Sequence, residues 1–301
     1  MMTPTSEEVY IFPVSFSQER LWFLDRLEPG NPSYNIFRAL QLKGTLNIEA
    51  LEQSLKEIQR RHEILRTTFR LVDEVPYQVI SSEISATLSV KQAPGELSFD
   101  DRFEWARKIL VGGARQPFNL SQGPLLRILL LELEEQSYIL SITVHHIIAD
   151  VWSMGVFIQE LSSLYPTYAA DKSSGLPDLP IQYADFAEWQ RQWLTGEVLT
   201  EQLDYWQQNL SGSPTLIDLP TDYPRPPVQS YEGRAEIFTL TPDLTEKLNC
   251  LSQQSGVTLF MALLAAFSLL LSRYSQQKDI LVGSPIANRN RKEIESLIGF
   301  L

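Results

Sequence analysis

Apolar positions recur with two different periods along this 301-residue chain, and the two periods predict a mixed helix and strand fold. A spacing of three to four residues predicts helices, whereas alternation or short apolar runs bounded by turn residues predict strands. The helical spacing covers residues 16–27, 47–62, 99–113, 152–169, 183–194, 201–212, 244–256 and 259–275. The strand pattern covers residues 36–44, 65–72, 76–80, 86–92, 125–134, 138–148, 234–241 and 279–286.

Two of these stretches carry the strongest expectations about the core. Residues 125–134 and 138–148 are separated by only three residues and are rich in Ile, Leu and Val, which predicts an antiparallel pair buried on at least one face. Residues 257–271 form the most apolar stretch, but it is shorter than the roughly 20 residues that a membrane span requires. We therefore expect a buried core helix there.

One break divides the chain. Residues 171–180 contain Ser, Gly and two prolines between long periodic segments, which is typical of a boundary. We predict an N-terminal lobe over residues 1–175 and a second lobe over 176–301, each with a helix, strands and a buried helix. The apolar ending, residues 297–301, predicts an unpaired edge with exposed apolar surface, and we expect the chain to be a fragment whose second lobe is incomplete.

Charge and cysteine content narrow the function classes. The net charge is −12 and no Lys/Arg cluster occurs, which argues against a nucleic-acid binder. The single cysteine, Cys250, excludes an internal disulfide and indicates a reducing compartment; we expect it to be a buried residue of a helix. The first ten residues lack the pattern of a signal peptide. We predict a cytoplasmic protein with no membrane partner.

Histidine is rare and locally concentrated. Of three histidines, His145 and His146 are adjacent at the end of an apolar strand pattern, and Asp150 follows. Because strand side chains alternate, one imidazole is expected to face the interior and the other a cleft. An imidazole titrates near neutral pH and can accept a proton from an amine or hydroxyl that attacks an acyl carbon.

Alternatives to catalysis remain open from the spacing alone. The histidines could be satisfied structural residues. A metal site is not predicted, because adjacent strand residues diverge and no third ligand stands at a useful spacing. For Asp150 we expect a structural role, either as the cap of the helix that follows or as the partner of an arginine.

Five segments together resemble the ordered motifs of the condensation domains of nonribosomal peptide synthetases, members of the chloramphenicol-acetyltransferase-like superfamily. The third, HHIIADV, resembles the family's H-H-x-x-x-D-G signature. Residues 15–24 resemble its opening motif, in the form typical of the subtype that joins an L-donor to an L-acceptor, and residues 61–69 and 183–189 resemble the second and fourth motifs. Residues 298–301, IGFL, resemble the start of the fifth, usually I-G-x-F-V-N-T.

The resemblance implies an α/β fold of α+β two-layer lobes, two chloramphenicol-acetyltransferase-like lobes in a V-shaped pseudo-dimer. It implies peptide-bond formation between substrates that upstream and downstream peptidyl carrier proteins hold as phosphopantetheine thioesters, next to an adenylation domain of the same synthetase. No cofactor is bound directly. His146 takes the catalytic position of the family, and His145 supports it.

Three further expectations come from the same resemblance. Asp150 is salt-bridged to an arginine, with Arg289 and Arg66 as the candidates. The pantetheine arm passes near Val151, Trp152 and Ser153. Val151 stands where the family has Gly, so its side chain is expected to strain the turn or narrow the passage and impair activity.

Two competing functions remain beside condensation. One is a stand-alone acyltransferase of the same superfamily that uses a free amine or alcohol. The other is a binding module that holds carrier proteins without turnover. The sequence does not name the amino acids that are joined or the peptide produced.

Overall fold

Strand pairing arranges the first half of the chain into two sheets. The structure is a computed structural model that describes residues 9–228, 230–231 and 233–301. In one antiparallel sheet the order is β1 (Val9–Pro13), β4 (Val75–Ser81) and β3 (Thr67–Val72). In the other the order is β2 (Asn35–Lys43), β7 (Ser137–His145), β6 (Leu126–Glu134) and β5 (Leu88–Gln92), with β5 and β6 parallel and the other pairs antiparallel.

Side-chain caps start most of the described helices. Ser15, Asn47, Ser98 and Asp150 each accept a hydrogen bond from a backbone N–H of the first turn, which satisfies one of the donors that a helix start leaves free. The helices are α1 (Phe16–Leu27), α2 (Ile48–Arg61), α3 (Phe99–Arg115), α4 (Val151–Ala169), α5 (Tyr183–Trp193), α6 (Gly196–Leu210), α7 (Pro242–Gln254), α8 (Leu259–Ser275) and α9 (Lys292–Glu295). Short 3-10 helices cover Pro32–Tyr34 and Glu63–Arg66.

The predicted antiparallel pair is confirmed as β6 and β7, and it forms the centre of the core. All nine residues of β7 are buried. On one face Leu140, Ile142 and Val144 join the main core together with residues of α2 and α4. On the other face Ile139 packs in a second cluster with Ala106 of α3. Burying each such side chain stabilises the fold by about 1.5–3 kcal/mol, so the end of β7 is a rigid support.

Chain contacts divide the structure into two compact units. The first extends to Val198 and resumes from Ala287 to Leu301, and the second covers Leu199–Ile286. The first unit holds both sheets and all of the core described above. The predicted lobe boundary at residues 175 and 176 remains a prediction.

Several expectations for the second unit are wrong. The apolar helix α8 is not buried, since Phe260, Leu269 and Leu270 are each more than half exposed. Residues 234–241 and 279–286 form no strands, and Cys250 is exposed on α7. Burial and strand formation both need a partner that covers the apolar face or completes the hydrogen-bond ladder. Within the described residues of this unit, no sheet supplies one.

The expected exposure of residues 297–301 is also wrong. Leu297, Ile298 and Leu301 are buried and belong to the main core of the first unit. The apolar side chains of the segment are covered because the segment packs against α5, where Tyr183 is fully buried.

The sequence predicts that its most apolar stretch is too short to span a membrane, and the lengths and compositions of the helices bear on this prediction. Among the described residues, no single helix is both long and apolar enough to cross a membrane. Helices α7 and α8 meet both requirements only when the two are taken as one segment. The angle between them at the short break is 103°.

Candidate active site

The two adjacent histidines lie where β7 gives way to a turn. The strand ends at His145, and His146 begins the turn that leads to α4. Their backbone N–H groups donate to different neighbours: that of His145 to Leu125 O at 3.0 Å, and that of His146 to Tyr34 O at 2.8 Å. The predicted strand runs to residue 148, so the observed strand ends three residues earlier. His146 therefore lies in the turn, where strand alternation does not set the direction of its side chain.

His145 is a buried, neutral residue that stabilises the turn. Its side chain packs between Tyr34 and Phe118, with ring centroids 6.4 and 6.2 Å away, and its Nδ1 accepts a hydrogen bond from the Ile147 N–H at 3.1 Å. Burial, and to a smaller extent the charge of His146, lowers the pKa of His145 to about 4. A neutral imidazole with Nδ1 as acceptor is the form that this hydrogen bond requires.

His146 differs from its neighbour in exposure and in contacts. It is only partly buried, whereas its Nδ1 is buried and has no hydrogen-bond partner among the described residues. The ring lies 4.5 Å from the ring of Phe300, at an interplanar angle of 64°. The first residue after this rigid strand is thus a histidine that is less buried than its neighbour.

Asp150 performs both of its predicted structural roles at once. Its Oδ1 accepts a hydrogen bond from the Ser153 N–H at 2.7 Å and caps α4, and both carboxylate oxygens accept from Arg289 Nη2, at 3.1 and 3.2 Å. Of the two candidate arginines, Arg289 therefore makes the contact. Arg66 instead pairs with Glu63 at 3.1 Å and donates to the Ser81 carbonyl.

Arg289 links α4 to the C-terminal segment. Its side chain is 2% exposed, and its Nη1 donates to the carbonyl oxygens of Ile294 at 2.7 Å and Leu297 at 2.8 Å. Burial lowers the pKa of Arg289, while the Asp150 carboxylate acts in the opposite direction. The guanidinium thus fixes the segment before Phe300 to the helix that follows the histidines.

Ser153 and Tyr183 hold the next residues of that segment. Ser153 Oγ accepts from the Gly299 N–H at 3.0 Å, and the Tyr183 hydroxyl donates to the Phe300 carbonyl at 2.5 Å. Ser15 Oγ lies 2.8 Å from the same hydroxyl. Burial is the main cause of a raised pKa at Tyr183, which keeps the phenol protonated as a donor.

The close contact at Gly299 gives a prediction. A Cβ at this position would overlap the ring carbons of Tyr183, so Gly299→Ala forces the backbone off the ring and is expected to lower the free energy of unfolding by about 1–3 kcal/mol. Gly155→Ala is the matched control, because a Cβ there meets nothing within 4 Å and Ala favours a helix. Urea unfolding measures both. Equal stability of the two variants would contradict the prediction.

The opening motif also reaches the site. Gln18 is buried, and its Nε2 donates to the Ile147 carbonyl and to Gln78 Oε1, both at 3.2 Å. Gln18 thus supports the turn that carries His146. Ser15 supports the segment that carries Phe300, because it contacts Tyr183. Sequence reasoning did not assign Gln18, Ser15, Tyr183 or Phe300 to the site. The sequence did contain a sign of their role, because all four residues lie in the segments that resemble the family motifs.

The third histidine lies beside a buried ion pair. His62 Nε2 and Arg61 Nη2 lie 3.1 and 3.0 Å from Glu160 Oε1, and all three side chains are buried. Burial raises the pKa of Glu160, but the neighbouring His62 and Arg61 side chains outweigh it, so the pKa is lowered overall. His62 Nδ1 also accepts from the Ile298 N–H at 3.4 Å, so the second motif supports the same C-terminal segment.

The residues after Asp150 differ in what they expose. Val151 is 65% and Trp152 48% exposed, whereas Ser153 is fully buried. Of the three residues expected near a pantetheine arm, only Val151 and Trp152 therefore have side chains that solvent or a ligand can reach. The expected strain at Val151 is wrong: it is the first residue of α4 and is not among the residues with positive φ, so its backbone does not require Gly. Restriction of a passage by its side chain remains a proposal.

No metal-binding arrangement accompanies these residues. In the described part of the chain, no three His, Cys, Asp or Glu side chains form a group that could hold an ion. The groups that the site offers are the imidazole of His146 and the hydrogen-bonding side chains around it.

Comparisons with known proteins give one family. The model of the condensation domain family matches residues 8–301. One subunit of the linear gramicidin synthase of Brevibacillus parabrevis is 50% identical over 299 residues, which are 99% of this chain and 6% of that protein. Phosphinothricin tripeptide synthetase PhsC of Streptomyces viridochromogenes is 42% identical over 96% of this chain and 26% of its own length. The chain thus spans a small part of the relatives it matches.

Solved structures agree on the fold. A four-domain nonribosomal peptide synthetase bound to AMP and glycine matches 99% of this chain and 22% of its own, with a TM-score of 0.84 and 24% identity. The X-domain from teicoplanin biosynthesis matches all of this chain and 65% of its own, with a TM-score of 0.82 and 28% identity, and an X-domain has also been solved in complex with OxyB. The predicted α/β fold of the superfamily is confirmed. The chain therefore belongs to the condensation domain family of nonribosomal peptide synthetases.

Proposed function

We propose that this chain is an amide-forming acyltransferase that joins two aminoacyl or peptidyl groups held on carrier proteins as phosphopantetheine thioesters. The observation that carries the proposal is the placement of His146. The residue is partly exposed directly after a buried strand, in a turn fixed by His145, Asp150 and Arg289. The family and its synthetase relatives support the same reaction class.

The reaction needs modest help from the protein. The acceptor amine attacks the donor thioester carbonyl, a C–N bond forms, the C–S bond breaks, and the donor pantetheine leaves as a thiol that takes up the proton lost by the amine. His146 accepts that proton or stabilises the charged intermediate. Because an α-ammonium group has a pKa of about 8, a strong base is not required. Much of the rate comes from holding both arms in register.

The partners follow from this reaction. An upstream and a downstream peptidyl carrier protein deliver the donor and acceptor arms, and an adenylation domain of the same synthetase loads one of them. The phosphopantetheine belongs to the carriers, so the chain binds no cofactor of its own. The relatives support such a setting, because their matched segments are only small parts of long synthetases.

Replacing His146 tests the proposal. We expect His146→Ala to lower dipeptide formation from two loaded carrier proteins by at least about 100-fold, since general acid–base catalysis contributes about 10²–10⁴-fold. Product is measured by mass spectrometry after single turnover. Lys91→Ala, a change at an exposed residue of β5, is the control and is expected to keep full activity. An unchanged rate in His146→Ala would refute the catalytic assignment.

A binding module without turnover is the second candidate. The structural match to an X-domain that forms a complex with OxyB favours it, as does Val151 at the family's glycine position. The same assay separates the candidates. A binding module gives no dipeptide whether residue 146 is His or Ala. If the Val151 side chain is what blocks the pantetheine arm, Val151→Gly gains activity. Product from free amines in place of a loaded acceptor would indicate a stand-alone acyltransferase.

A further inference from the structure

The imidazole of His146 lacks the anchor that usually orients a reactive histidine. A histidine in a site commonly donates or accepts at its second ring nitrogen, which fixes the orientation of the ring. Here Nδ1 is buried without a hydrogen-bond partner among the described residues. Rotation of the ring is therefore limited by packing rather than by a hydrogen bond at that atom.

The ring of Phe300 supplies that packing. Its centroid lies 4.5 Å from that of His146 in an edge-to-face arrangement, which is a favourable geometry for an aromatic pair. The Arg20 guanidinium carbon lies 5.7 Å from the centroid of the same Phe300 ring. Phe300 thus has the His146 imidazole and the Arg20 guanidinium as neighbours. A change in the Phe300 side chain therefore alters the packing that limits rotation of the imidazole.

The backbone of Phe300 is held independently of its ring. Tyr183 donates to its carbonyl at 2.5 Å, and the preceding Gly299 is bound to Ser153 and lies against the ring of Tyr183. Ile298 and Leu301 on either side are buried. A substitution that removes only the Phe300 ring therefore leaves the course of the chain supported by contacts that it does not touch.

We propose that Phe300 is the positioning residue of His146, holding the imidazole in one orientation through the contact between the two rings. The proposal rests on the function proposed above. In the motif that residues 298–301 resemble, I-G-x-F-V-N-T, Phe300 stands at the position for which the motif names no residue. Phe300 acts through His146 and has no role in bond making or breaking.

Three variants of the whole chain test this inference. Phe300→Ala removes the ring, Phe300→Tyr keeps it, and Ile294→Ala removes a buried side chain from α9, six residues before Phe300. We expect Phe300→Ala to lower kcat by about tenfold with KM for the loaded acceptor nearly unchanged, because misplacing a reactive group lowers the rate of the bound complex. Phe300→Tyr is expected to retain kcat, and Ile294→Ala to lower Tm without lowering kcat.

A spectroscopic measurement makes the result independent of activity. The chain has three histidines, so the imidazole NMR signals of His146 are assigned by their loss in His146→Ala. Phe300→Ala should shift and broaden these signals, Phe300→Tyr should restore a single narrow set, and Ile294→Ala should leave them in place. Unchanged His146 signals in Phe300→Ala would overturn the inference even if the chain makes no product. Equal losses of kcat in Phe300→Ala and Ile294→Ala would also overturn it, because segment packing would then be the cause. Full activity of His146→Ala, in contrast, refutes the proposed function and not the ring contact.

Discussion

Replacing Arg289 with methionine is expected to lower the free energy of unfolding by about 3–5 kcal/mol, the largest loss of stability among the changes considered, because it leaves a partly buried carboxylate without its cation. Asp150 loses both hydrogen bonds from Nη2, and the carbonyl groups of Ile294 and Leu297 lose their donor. Urea unfolding followed by circular dichroism and tryptophan fluorescence measures the loss.

The control for Arg289 is the same substitution in an exposed ion pair. Arg107 lies 2.8 Å from Glu104 on the surface of α3, and Arg107→Met is expected to leave the stability unchanged. Asp150→Asn combined with Arg289→Met completes a double-mutant cycle. If Arg289→Met is equally costly with Asn at position 150, the ion pair is not the source of the loss, and the contacts to the C-terminal segment are.

Acidification from pH 6.5 to pH 4 is expected to destabilise the chain by about 3 kcal/mol through His145 alone. The pKa of this buried imidazole is lowered from 6.5 to about 4 in the folded chain, mainly by burial. The unfolded chain therefore binds the proton first as the pH falls. The stabilising contribution is complete above pH 6.5, is lost progressively as the pH falls, and changes no further once the pH is below about 4.

His145→Asn isolates this effect. The amide oxygen of Asn is able to accept the hydrogen bond from the Ile147 N–H in place of Nδ1, but the side chain does not titrate. We expect the variant to lose the pH dependence between 6.5 and 4. The lowered pKa of Glu160 adds a loss mainly as the pH falls below 4.5, so the two groups overlap only at the acidic end of the His145 window. The same slope in the variant and the parent chain between pH 6.5 and 4 would contradict the assignment to His145.

Local patterns in the sequence predicted the framework of the site. The three-residue link between two Ile/Leu/Val stretches gave the β6 and β7 pair, and Asn47 and Asp150 marked the starts of α2 and α4. These features are readable because hairpins and helix starts depend on residues a few positions apart. The pairing of His145 and His146 at the end of a strand was visible for the same reason.

Contacts between distant segments were not readable in this way. The sequence offered Arg66 and Arg289 equally as partners of Asp150, and only the fold brings Arg289, 139 residues away, within 3.1 Å. The position of Phe300 beside His146 depends on Tyr183 and Ser153, from two other helices. The burial of Leu297, Ile298 and Leu301 and the exposure of α8 were predicted wrongly, because an apolar pattern does not state what will cover it.

The sequence by itself determined most of the strands and helices of the first unit, though not β1, and marked His145, His146 and Asp150 as the side chains with reactive or charged groups, since periodicity, caps and motifs are local properties of the chain. The tertiary structure alone decided which cation neutralises Asp150, which imidazole is buried and neutral, and which ring packs against His146. Burial, charge pairing and ring packing are set by residues that are far apart in the chain, and their energies exist only once the chain has folded.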